Sequence, residues 1–344
     1  MKLKLYIAFS FFIVVGFTTL KVYQLNYPSY FPKPSYDLKN NPLTKEKTDL
    51  GKALFYDPIL SKDNTISCAS CHSSYQAFAH TDHQLSHGIN DLIGTRNAPA
   101  LFNLAWQNSF MWDGAVNHLD VQALAPIAHE KEMAEKIENV IHKLRNTSLY
   151  PKLFLKAYND TAITGERVLK ALSQFQLTLI SATTKYDRVK QNKTKFTEQE
   201  QKGYELFLAN CNSCHTEPLF SNYSYANNGL GVDTTLKDMG RYTITKQSAD
   251  SLKFKVPSLR NISYTSPYMH DGRFNKLNQV LNHYISIKDS KVLSPELKKP
   301  IQLTPNQKTD LTAFLLTLND SAFVFNPKHQ YPKQILKPGE GNRK

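Results

Sequence analysis

The sequence is poor in cysteine, with four in 344 residues, and none is spare. Two stand in Cys68-Ala69-Ser70-Cys71-His72 and two in Cys211-Asn212-Ser213-Cys214-His215. No thiol is left for a disulfide framework or a zinc site. Methionine is also scarce, at five, so few thioethers compete as iron ligands. An alternating apolar pattern of any length is missing, which leaves helices as the framework. Clustered basic residues are missing too. The formal charge of +13 comes from scattered lysines, which argues against a nucleic-acid partner.

What is present is the Cys-x-x-Cys-His run, twice. Two thiols bond to the macrocycle of a c-type haem and the adjoining imidazole becomes a ligand to its iron. The four cysteines therefore account for two covalently bound haem c groups, whose propionates offset part of the positive charge. His72 and His215 are the proximal iron ligands in this reading. The chain is long enough for two modest domains, with one motif in each half.

The N-terminus carries Lys2 and Lys4 ahead of an apolar run to Leu20, which reads as an export signal or a retained membrane anchor over residues 1–25. Either places the rest outside the cytoplasmic membrane. Residues 26–43, with Pro28, Pro32 and Pro34, read as an extended linker. Residues 44–55 read as a helix leading into the first motif. Apolar spacing predicts helices over 132–144, 166–180 and 305–318. Residues 185–196 are charged and without period, as a linker would be. Thr197-Glu198-Gln199-Glu200 fits a capping box opening the helix before the second motif. The expected fold is mainly α: two cytochrome c-like haem domains, 44–184 and 197–325, packed around an interdomain interface, with a tail over 326–344. The halves share an order of elements, with little residue identity beyond the motif.

Between and beyond the motifs stand Arg96-Asn97-Ala98-Pro99, Phe110-Met111-Trp112-Asp113-Gly114, then Gln122, Pro126 and Glu132-Met133. The second half has Val256-Pro257-Ser258-Leu259-Arg260-Asn261 and Thr265-Ser266-Pro267-Tyr268-Met269-His270-Asp271-Gly272. With these strings the chain resembles the bacterial dihaem cytochrome c peroxidase family and its relative MauG over residues 50–318. The resemblance implies a periplasmic enzyme that reduces hydrogen peroxide to water with electrons from a small donor protein, a cytochrome c or a cupredoxin. By the same resemblance the haem on His72 binds peroxide and the haem on His215 receives electrons. Glu132 matches the catalytic glutamate, Gln122 the distal-pocket glutamine and Trp112 the tryptophan between the haems. Asn97, Thr265 and Pro267 match the ligands of a calcium ion between the domains.

A carboxylate above the haem suits peroxide cleavage, since it takes a proton from one oxygen and returns it to the other. Read without the family, Glu132 is one of several exposed acids on a Glu-rich turn, and Trp112 is a core aromatic. His80, His83 and His87 are a surface group or a further metal site. Two positions depart from the family. The histidine that blocks the peroxide-binding iron in the well-known peroxidases is replaced by Ile89, although His87 is close enough to substitute. The distal methionine of the second haem is replaced by Tyr284, a residue shared with MauG, with Met239 and Met269 as competitors. An anionic phenolate favours the ferric and higher states, where a thioether raises the potential. Three functions follow: a peroxidase, a MauG-like oxidase of a partner protein, or a non-catalytic electron carrier.

Overall fold

The structure is a computed structural model and describes residues 21–80 and 82–336. The apolar N-terminal run lies outside them, and among the described residues no helix is long and apolar enough to cross a membrane.

The framework is helical. Lys45–Tyr56 opens at Thr44, whose side chain accepts the Lys47 N–H, and buries Leu50, Gly51, Ala53, Leu54 and Phe55. That face packs on the helix Gly165–Leu177. The two cross at Gly51, where a Cβ would sit 1.8 Å from the Ala171 carbonyl oxygen, so only glycine permits the contact. The second half repeats the device. Glu198–Asn210, opened by a capping box between Thr197 and Glu200, crosses Pro305–Leu316 at Gly203, where a Cβ would lie 1.9 Å from Asp310 O. Phe55, Phe78 and Phe175 meet edge to face in one core, and Phe207, Phe220 and Phe314 fill the other.

Four expectations need correction. The helix expected from 132 is Ile137–Arg145. Residues 129–135 fold back instead, because Met133 N–H bonds Pro126 O and Glu135 N–H bonds Ile127 O while Met133 enters the core. Residues 26–43 are part of the fold. Phe31 and Leu43 are buried, and the Trp106 indole N–H donates to Pro32 O at 2.8 Å. The prolines extend the backbone, and the aromatics between them supply the packing. The stretch from 185 holds a helix, Lys185–Lys190, opened by a Thr184–Asp187 capping box. Its Asp187 forms a two-bond pair of 2.7 and 2.8 Å with the fully buried Arg260. The segment after 325 also packs, with His329 and Leu336 buried.

The halves are also more alike in residues than the motif alone suggests. Residues 98–106 (Ala-Pro-Ala-Leu-Phe-Asn-Leu-Ala-Trp) match 256–264 (Val-Pro-Ser-Leu-Arg-Asn-Ile-Ser-Tyr). Asn103 and Asn261 both take left-handed φ, 54° and 58°, before a short 3-10 turn. Residues 110–116 match 268–274, each closed by an antiparallel bridge, Phe110 with Val116 and Tyr268 with Phe274. Within these turns Met111 and Met269 have φ of 68° and 75°, and Gly114 and Gly272 have 72° and 70°.

Candidate active site

Each Cys-x-x-Cys-His run is a tight turn, and in the first both sulfurs and the imidazole line one cleft. His72 N–H bonds Cys68 O, and His215 N–H bonds Cys211 O, both at 2.9 Å. The His72 Nδ1 lies 2.9 Å from Phe78 O, and His215 Nδ1 lies 3.2 Å from Phe220 O and 3.1 Å from Pro257 O. Carbonyls that accept from Nδ1 leave Nε2 with its lone pair, the tautomer an iron ligand needs. Burial pushes both imidazolium groups down to about 4, so the rings are neutral.

A cleft of about 50 Å³ opens over the first motif. Cys68, Cys71 and His72 form one part of its lining, Phe55, Leu101 and Met133 its apolar walls, and Gln122, Glu132 and Gln176 its polar groups. Two thiols, a neutral imidazole and apolar walls are the donor set and surroundings that a c-type haem requires. The structure thus brings Gln122 and Glu132 together at His72. The Gln122 amide donates to Met111 Sδ at 3.7 Å. Burial raises the Glu132 carboxyl above its ordinary value, and His129, whose Nδ1 is 3.6 Å from Oε1, pulls it partly back. A carboxyl so poised is able to hold or release a proton.

The main chain of Glu132 is clamped. Its N–H bonds His129 O at 3.0 Å and its carbonyl accepts the Ile89 N–H at 2.8 Å. Gly88 presses on it so closely that a Cβ there would lie 2.1 Å from Lys131 O and 2.5 Å from Glu132 Cα. Ile89 is buried. The His87 ring is turned to Asp91, with Nδ1 2.5 Å from Oδ1, and stacks on His83 at 4.5 Å. His80, His83 and His87 form a stack of rings, and among the described residues no three His, Cys, Asp or Glu side chains converge as a metal site.

Trp112 lies where the halves meet. Its indole N–H donates to Asn97 O at 2.8 Å, and Asn97 N–H donates to His270 O at 2.7 Å. The His270 ring stacks on Phe254 at 3.6 Å. Arg96 spans the junction with Asp113 at 2.6 Å and Asp238 at 2.5 and 2.8 Å. The Asn97 amide nitrogen donates to Gln84 O, while its Oδ1 accepts nothing among the described residues. Asn97 therefore sits beside the turn that follows Thr265 and Pro267. The Thr265 hydroxyl donates to Ile262 O at 3.5 Å. An unshared amide oxygen and main-chain carbonyls are hard donors of the kind calcium takes.

Tyr284 lies on the helix Leu277–Ser286 near Cys211 and Cys214, and burial pushes its phenol up to about 12. Asn228 lies beside Tyr284 and donates to Met269 Sδ at 3.4 Å. Two of the candidate ligands thus share one neighbour. Met239 lies on the turn after Asp238, its carbonyl accepting the Leu252 N–H at 3.0 Å. Sequence reasoning missed Gly88, Asn228, Lys255 and Gln176, the last a cleft residue whose Oε1 is buried without a partner. The matched turns 110–116 and 268–274 were the signal that pointed to this junction.

Two haem-attachment sites on a helical frame, one facing a glutamate and a glutamine, define a dihaem c-type oxidoreductase. The sequence profile of the di-haem cytochrome c peroxidase family matches residues 45–195. The methylamine utilization protein MauG of Methylorubrum extorquens is 35% identical over 303 residues, 85% of this chain and 82% of that protein. The cytochrome c551 peroxidase of Nitrosomonas europaea is 34% identical over 282 residues, 80% of this chain and 81% of that one. A solved structure described as a MauG-like protein associated with microbial copper homeostasis superposes with a TM-score of 0.82 at 30% identity, over 90% of this chain and 99% of its own. The chain belongs to the di-haem cytochrome c peroxidase and MauG family.

Proposed function

We propose that this chain is an exported, periplasmic peroxidase that reduces hydrogen peroxide to water with electrons from a small cytochrome c or cupredoxin. The observation that carries the reading is the convergence of Glu132 and Gln122 on the cleft built by Cys68, Cys71 and His72. The haem attached there supplies an iron that binds peroxide and exchanges electrons. Peroxide takes up two protons and two electrons to give two waters. Glu132 takes the proton from one peroxide oxygen and returns it to the other, which leaves as water. Gln122 orients the substrate through its amide. Trp112, hydrogen-bonded across the junction, lends one electron to the first half and recovers it from the second. Tyr284 or Met269 would be the side chain offered to the iron of the second haem, and Ile89 stands where a histidine would be offered to the first. Asn97 with the carbonyls of Thr265 and Pro267 would hold a calcium ion, which would tie the two halves at the junction. Steady-state consumption of peroxide by the holoprotein with a reduced small cytochrome tests this reading, and absence of turnover overturns it.

Tyr284 and Ile89 also favour a second reading, a MauG-like oxidase that withdraws electrons from a partner protein. That reading expects an oxidised state that persists after peroxide is added and negligible turnover with small donors. A purely carrying role is disfavoured, since an electron carrier has no use for an acid over one haem.

A further inference from the structure

Lys255 joins the halves at the segment that carries Trp112. Its N–H donates to Trp112 O at 2.7 Å, and its Nζ crosses to Ser109 O at 2.8 Å and Gln107 Oε1 at 2.6 Å. Three bonds therefore fix residues 107–112 against the strand Phe254–Lys255. The ammonium lies 5.7 Å from the Phe110 ring centroid. Among the described residues no carboxylate oxygen lies within 4.0 Å of it. The nearest acid that acts on it is Asp113, which is already bound by Arg96.

Other groups facing this corner are Arg241, whose Nη1 donates to Asp113 O at 3.1 Å, and Tyr225, whose hydroxyl meets Ser109 Oγ at 2.5 Å. His270 stacks on Phe254 from the far side. Arg96 and Asp238 complete the charged ring.

We propose that Lys255 is a positioning residue that governs how readily Trp112 gives up an electron, by holding its turn and by placing a removable positive charge beside it. The proposal rests on the relay reading of Trp112. When the indole loses an electron to the peroxide-oxidised centre it becomes a cation, and an adjacent ammonium opposes that charge. A neutral amine does not. Burial pushes the Lys255 ammonium down to about 7, with Asp113 opposing the shift. The charge is therefore lost as pH rises through neutrality, and electron release becomes easier above that point. A unit charge acting over roughly 10 Å at an effective dielectric of about 20 changes an equilibrium by on the order of tenfold.

The test uses the holoprotein. One equivalent of peroxide supplies the oxidant that takes the electron from Trp112, and the decay of the oxidised protein is timed by stopped-flow absorbance across about two pH units either side of neutrality, together with each centre's reduction potential. The wild-type rate rises about tenfold through about pH 7. Lys255→Met flattens the profile at the high-pH level, and Gln107→Leu, which takes one acceptor from the ammonium, moves the inflection to lower pH. A Lys255→Met protein that keeps the inflection overturns the proposal. If that variant fails to fold, an unmoved inflection in Gln107→Leu overturns it instead. Trp112→Phe separates the two ideas. An unchanged rate in Trp112→Phe overturns the relay, whereas a slow Trp112→Phe beside a pH-sensitive Lys255→Met overturns the role of Lys255 alone.

Discussion

Replacing Gly88 by alanine tests whether the position of Glu132 controls activity, without touching any group that reacts. The backbone of Gly88 has φ −104° and ψ −154°, a negative φ at the edge of the extended region, so the effect comes mainly from contact. The new methyl carbon would lie 2.1 Å from Lys131 O and 2.5 Å from Glu132 Cα, whereas ordinary contact begins at 3.4 Å. One side must yield by about 1.3 Å. The Glu132 side cannot yield freely, because Glu132 N–H, Met133 N–H and Glu135 N–H are tied to His129, Pro126 and Ile127. If residues 86–92 yield instead, the Ile89 bond to Glu132 O is broken. In the first case the carboxylate moves by about an ångström relative to the cleft, and in the second Glu132 loses the bond that clamps its carbonyl. A displacement of that size costs about 100-fold in a reaction that depends on alignment. The assay is kcat/KM for peroxide with a reduced cytochrome donor, at equal haem content verified by absorbance. An alanine variant with full haem and kcat/KM within about threefold of wild type would refute the claim that this loop positions Glu132.

Glu132→Gln keeps the shape and removes the proton carrier, so peroxide turnover falls by about 10²- to 10⁴-fold in stopped-flow assays while both haems remain attached. Asp187→Asn leaves the buried Arg260 without its counter-charge and lowers unfolding stability by about 3–5 kcal/mol in denaturant titrations. Burial pushes the Asp187 carboxyl up, but Arg260, Tyr30 and Thr184 outweigh it and hold it below its ordinary value. This pair therefore stabilises the fold above the unfolded carboxylate pKa, and the contribution disappears as pH falls through the lower folded value. Acid-induced unfolding of Asp187→Asn accordingly begins from a lower plateau and loses less. Tyr284→Phe changes the absorption and paramagnetic resonance of the haem on His215 and raises its potential, and an unchanged spectrum removes Tyr284 as a ligand.

What the sequence made legible was local. A Cys-x-x-Cys-His run carries its chemistry within five residues, and the capping box at Thr197 and Glu200 needs only the next turn of helix. The helix Lys45–Tyr56 followed from its own apolar face. The failures have distant causes. Residues 185–190 show no apolar period because their burial depends on an ion pair with Arg260, 73 residues away. The aromatic residues of 27–36 look like decoration on a proline-rich linker until Trp106 and Asp187 are placed against them. By sequence Glu132 falls at the start of a helix, because the apolar period of the next helix extends back through Met133. The backbone bonds that fold 129–135 back leave no mark on that period.

The similarity of the halves explains why the junction is built of turns and not of helices. In each half the matched turn ends in a glycine with positive φ, and in each the glycine abuts the other half. A Cβ on Gly114 would lie 1.8 Å from the Tyr225 hydroxyl, and one on Gly272 would lie 2.4 Å from Gln84 O. The two turns therefore dock reciprocally, and any side chain there would force them apart. Asn97 links them directly, accepting from the Trp112 indole and donating to His270 O. The third residue of one turn is tryptophan and of the other histidine, so an otherwise repeated arrangement places one readily oxidised ring at the seam. Similar halves thus become unequal through a few residues: Trp112 against His270 in the turns, and Glu132 with Gln122 against Tyr284 with Asn228 at the two cysteine motifs. Chemistry in one direction across a near-symmetric frame needs no more than that, because the frame fixes the distances and the substituted side chains decide where charge and protons reside.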